Sequence, residues 1–171
     1  MGSPKPGWKK QFRQVLPELG HRNWILIADS AYPAQTGSVE VVSTGEDHID
    51  LVSWVLKELA DAAHVRPVAF LDAELSALTD ELAPGVSETR QALANALAVC
   101  GSTAVLHEEL IARLSATAQN FQVLVLKSTG VVPYSSVFIE LDCGYWAPEN
   151  EAELRLLMSA GRRKPSTKKA R

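Results

Sequence analysis

The chain has 171 residues, of which 46% are hydrophobic and 22% charged, and its formal net charge is −3. One domain of this length buries a full core without disulfide or metal staples. The balance excludes global disorder and gives no overall pull toward nucleic acid or an anionic membrane. Six of the 17 basic residues crowd into the last ten positions, which leaves 11 basic against 20 acidic residues elsewhere.

In chain order, residues 1–7 are polar and rich in Gly and Pro, and read as a flexible leader without the apolar region of a signal peptide. Phe12, Val15, Leu16 and Leu19 follow at helical spacing, with Pro17 keeping that helix short and Gly20 able to end it. Trp24-Ile25-Leu26-Ile27-Ala28 is a continuous apolar run, as in a strand buried on both faces. A weaker strand is expected over 39–42 and an amphipathic helix over 50–63. A buried strand over 67–71, a helix over 88–99 and a strand over 103–106 come next. A helix over 107–118, strands over 121–126 and 137–141, and a helix over 149–159 complete the pattern. Residues 161–171 read as a basic, disordered tail whose length makes nucleic-acid binding the weakest reading. The α/β domain therefore occupies 8–160. Strands alternating with helices predict a single three-layer domain with a mostly parallel sheet flanked by helices.

No stretch reaches the roughly 18 apolar residues that span a bilayer. Cys100 and Cys143 lie outside any CxxC pair or metal-ligand spacing and read as buried thiols in a reducing compartment. A cytoplasmic location without membrane contact is expected.

Ligands of parallel sheets bind beyond the carboxyl ends of the strands, so the polar residues there are the candidates. Asp29 follows the first strand, and His21 precedes it. The eight-residue step from His21 to Asp29 would span over ~20 Å if extended. They can meet only if the chain folds back or a second subunit supplies one of them. The structural alternatives are a helix-capping role for His21 and a turn or capping role for Asp29. His107 follows the third main strand and opens a helix with Glu108 and Glu109. Tyr134, in Pro133-Tyr134-Ser135-Ser136, is the one aromatic hydroxyl in its connection and could bind a ligand hydroxyl or relay a proton. His48 and His64 read as solvent-facing helix edges. Lys127-Ser128-Thr129-Gly130 lacks the order of a phosphate loop, and GxGxxG and GxSxG are absent.

Leu19-Gly20-His21, an apolar strand and Asp29-Ser30-Ala31-Tyr32-Pro33 together resemble the opening signature of the D-ribose pyranase and L-fucose mutarotase family. Tyr134-Ser135-Ser136 before an apolar strand resembles that family's Tyr-x-Asn segment, with Ser136 where the family carries Asn. His107-Glu108 resembles a His-Glu pair of the ribose branch, and the likeness covers roughly residues 12–146. The resemblance implies an isomerase that interconverts monosaccharide anomers or ring forms without a cofactor or metal. It implies His21 as the acid–base group, Asp29 as its orienting carboxylate, and Tyr134 in the proton relay. His107 and Ser136 would bind sugar hydroxyls. It also implies a ring-like homo-oligomer with sites at subunit interfaces. A non-catalytic sugar- or sugar-phosphate-binding regulatory module of the same fold is the alternative, which the Ser136 departure would suit.

Overall fold

Among the described residues of the computed structural model, 7–35 and 37–161, the alternating pattern folds into six strands and five helices. The strands are β1 (Trp24–Ala28), β2 (Val39–Ser43), β3 (Val65–Asp72), β4 (Thr103–Val105), β5 (Val123–Lys127) and β6 (Val137–Cys143). The helices are α1 (Trp8–Val15), α2 (His48–Ala60), α3 (Val86–Leu97), α4 (His107–Thr117) and α5 (Pro148–Gly161). Every expected element is present, with ends shifted by up to a few residues. The leader over 1–6 and the tail over 162–171 lie outside the described residues; Gly7 itself opens α1 at a left-handed φ of 83°.

All six strands form one sheet in the order β2-β5-β1-β6-β3-β4. β6 runs antiparallel to β1 and β3, while the β1–β5, β2–β5 and β3–β4 pairs are parallel. The central strands β1 and β5 are covered on both faces, which is why they read as unbroken apolar runs. Alternation sends Ile25, Ile27, Leu124 and Leu126 to the face covered by α1, α2 and α3. It sends Trp24, Leu26, Val123 and Val125 to the face covered by α4 through Leu110 and Leu114. These are the three expected layers.

The helices start and stop for local reasons. Asp47 caps α2, its side chain accepting the N–H groups of Ile49 at 2.8 Å and Asp50 at 3.2 Å. Pro17 turns the end of α1 into the 3₁₀ turn Leu16–Glu18. α1 is fastened by Trp8 and Phe12, whose rings meet Trp54 of α2 edge-on at 4.8 and 5.2 Å. The single helix α4 leaves Tyr32, Val41 and Phe70 on its side of the sheet only partly buried. α5 presents Leu156 and Leu157 to solvent. Both cysteines are free; Cys100 is exposed and Cys143 half-buried, against the expectation of two buried thiols, because both sit at element ends rather than under a helix. No helix is long and apolar enough to cross a membrane among the described residues.

Candidate active site

The parallel strands deliver their carboxyl ends to one edge of the molecule. Asp29 follows β1, Thr44 follows β2, Asp72 ends β3, and His107 begins α4 just after β4. Because β6 runs the other way, its entry, Tyr134-Ser135-Ser136, arrives at this same edge. Four of the five sequence candidates, Asp29, His107, Tyr134 and Ser136, are thus brought to one edge by topology.

His107 is held from two sides. Its Nδ1 lies 3.0 Å from Oδ1 of Asp72, and its main-chain N–H donates to the Glu74 carboxylate at 3.0 and 3.2 Å. The Tyr134 ring stands edge-on to the imidazole, with centroids 5.4 Å apart. Tyr134 holds a φ of 57°, a left-handed conformation that non-glycine residues adopt at a cost and that clusters at functional sites. Asp29 folds into an Asx turn, its Oδ1 accepting the Ala31 N–H at 2.8 Å. Its charge reaches both Asp72 and His48. Ser136 is 8% exposed, beneath the cluster.

Asp72 was not among the sequence candidates, yet it is the most constrained group here. Its side chain is 1% exposed and Oδ2 has no hydrogen-bond partner. Burial pushes its pKa up to about 6, against the opposing pull of His107 and with small additions from Glu74 and Asp29. The folded pKa lies above the unfolded value near 4, so folding takes up a proton in that window and stability falls as pH rises through it. At about 1.4 kcal/mol per tenfold change in proton affinity, ionising Asp72 costs up to ~3 kcal/mol. Wild type is expected to lose up to that amount relative to Asp72→Asn between about pH 4 and pH 7. Urea unfolding at both pH values measures it, and a constant difference between the two proteins would refute it.

His48, expected to face solvent, is 4% exposed and lies below the site. Its Nε2 is 2.8 Å from the Ser135 carbonyl and so donates, while Nδ1 lies 2.8 Å from Ser128 Oγ, whose one proton also faces the Ala28 carbonyl at 3.0 Å. Burial lowers its pKa and keeps it neutral. Ser128 Oγ also accepts the Gly130 N–H at 3.1 Å. The Lys127-Ser128-Thr129-Gly130 stretch is therefore a buttress that ties α2 to the loop carrying Tyr134.

His21 lies at the opposite end of the sheet. Five residues of β1, about 16 Å at the usual strand rise, separate it from Asp29. Gly20-His21-Arg22-Asn23 is a turn closed by Asn23 N–H to Gly20 O at 3.1 Å, with Arg22 at a left-handed φ of 74°. The capping role open to His21 is filled instead by His64, whose Nε2 reaches the Leu16 and Leu19 carbonyls at 3.2 and 3.1 Å. That contact also takes His64 out of the solvent-facing position expected for it. His21 is exposed and borders an open cleft of about 530 Å³ with His64, Cys143, Tyr145, Trp146 and Leu154.

Two solved structures superpose on this architecture. RbsD of Bacillus subtilis, complexed with D-ribose, covers 86% of this chain and 99% of its own at 18% identity, with a TM-score of 0.57. The fucose mutarotase of Streptococcus pneumoniae, in complex with L-fucose, covers 86% and 100% at 12% identity, with a TM-score of 0.51. This chain has their fold. No family profile and no curated protein matches the sequence. The α/β architecture expected from the alternation of strands and helices is the one observed, and the likeness to these two structures extends well beyond the short motifs that resemble the sugar mutarotase family. In this fold the chain brings His107, Tyr134, Asp29 and Ser136 to one end and keeps His21 at the other.

Proposed function

We propose that the protein interconverts anomers or ring forms of a free monosaccharide by cofactor-free proton transfer. The observation that carries this reading is the edge-on pairing of His107 with Tyr134 at the carboxyl edge of the sheet, in a fold shared with structures that hold D-ribose and L-fucose. The chemistry needs one proton taken from the anomeric hydroxyl and one given to the ring oxygen. The bond from the anomeric carbon to the ring oxygen breaks, a carbonyl forms, and reclosure on either face returns both protons. An imidazole, which can both take and give a proton, and a phenol suit the two transfers. Positioned proton transfer is worth about 10²–10⁴-fold.

In this reading His21 is an acid–base group, Asp29 a charge partner, Tyr134 the relay, and His107 and Ser136 contacts to sugar hydroxyls. His21 comes from a second copy of the chain, because a single copy holds it a strand's length from the others. Two surfaces support a homo-oligomer: the thinly covered α4 face with Tyr32, Val41 and Phe70, and the exposed Leu156 and Leu157 of α5.

Saturation-transfer NMR on ribose, fucose and related free sugars tests the proposal. Wild type is expected to exchange anomers faster than buffer, and His21→Ala and Tyr134→Phe to slow that exchange by about 10²-fold each. Mixing the two variants after subunit exchange is expected to restore part of the rate, since some interfaces then carry both intact groups. Ligand-induced shifts without acceleration on any sugar would replace the enzyme with a binding module. Acceleration without recovery on mixing would confine the site to one copy.

A further inference from the structure

His107 is gripped by two carboxylates of one short connection, and the two grips differ in kind. Glu74 takes the main-chain N–H and so fixes where residue 107 sits. Asp72 takes the ring, with Nδ1 to Oδ1 at 3.0 Å. An ionised carboxylate only accepts hydrogen bonds, so a neutral His107 must place its proton on Nδ1. The other ring nitrogen is then a bare lone pair. No hydrogen bond among the described residues engages Nε2, and the side chain is one-third exposed while that of Asp72 is 1% exposed. A carboxylate this deep, with a second oxygen unpartnered, is costly to keep unless the site uses it. The pairing is also built by the sheet. Asp72 stands opposite Val105 in the parallel β3–β4 register, two residues before His107.

We propose that Asp72 is the positioning residue of the site: it selects the Nδ1–H tautomer of His107 and thereby makes Nε2 the base that takes the sugar's anomeric proton. This rests on the ring-interconversion reading above and changes the role of His107 from hydroxyl contact to proton carrier. Nε2 takes the proton of the anomeric hydroxyl, the ring bond breaks, and the ring oxygen takes a proton from the acid across the sugar, assigned above to His21. Both protons return when the ring closes.

The tautomer is read directly by long-range ¹H–¹⁵N correlation of the histidine rings in uniformly labelled protein, with His107 assigned from His107→Gln. In wild type near neutral pH, a protonated Nδ1 and an unprotonated Nε2 are expected. In Asp72→Ala the hydrogen bond that selects this form is gone, so Nε2–H becomes populated. The exchange rate at saturating sugar is expected to fall about 10²-fold with KM within about threefold. Wild type carrying Nε2–H on His107, which needs no variant to observe, would overturn the proposal. So would an Asp72→Ala protein that keeps the wild-type rate. If the tautomer follows Asp72 but wild type accelerates no sugar, Asp72 still orients His107, and it is the enzymatic reading that fails.

Discussion

A chain with alanine at position 144 is expected to lose at least ~3 kcal/mol of stability, or not to fold at all. Gly144 follows the last residue of β6 and donates its N–H to the His64 carbonyl at 3.0 Å. A Cβ there would stand 2.4 Å from the Ala63 carbonyl oxygen, 2.8 Å from Val65 N and 2.9 Å from Val65 O. All three are backbone atoms, so no rotamer change relieves the clash, and β6 must pull away from the start of β3. Gly20→Ala is the control: nothing lies within 4 Å of its Cβ, and it is expected to stay within ~0.5 kcal/mol of wild type. Urea midpoints of the two variants decide the matter, and equal midpoints would contradict the crowding described for Gly144.

The second large effect falls on His48. His48→Ala is expected to cost about 2–4 kcal/mol, from the cavity left by a buried ring and from the donor lost to the Ser135 carbonyl. The loss should reach function as well, because Ser135 sits next to Tyr134 and Ser128 Oγ holds Gly130. The pH dependence has a definite sign. Burial lowers the His48 pKa, so its contribution is complete above the unfolded value near 6.5 and fades as pH falls below it. That is opposite to the trend set by Asp72, and each variant isolates its own share. A His48→Ala protein with wild-type stability and an unchanged Tyr134 environment would show that the buttress is not needed.

Apolar runs such as Trp24–Ala28 announced their strands because burial on both faces leaves no polar position to blur them. The spacing from His21 to Asp29 foretold that one strand would hold them apart. Asp72 escaped notice for a physical reason. Its importance depends on which strand lies beside β3, and a 35-residue separation from His107 carries no local periodicity. Its one local signal is its place directly after the apolar run over 67–71, at the carboxyl end of a buried strand. A helix start is normally wet, and what buries His48 is the distant loop that holds Ser128, Gly130 and Ser135 against its ring. The reversed direction of β6, which brings Tyr134 to the site, leaves no trace in hydropathy.

The continuity of the sheet rests on β6. It is the last strand, and it alone joins the β2-β5-β1 group to the β3-β4 group. Without β6, the facing edges of β1 and β3 would both lack a partner strand. Such edges invite pairing with other chains. Placed between β1 and β3, β6 therefore also covers two edges that would otherwise be open to strands of other chains.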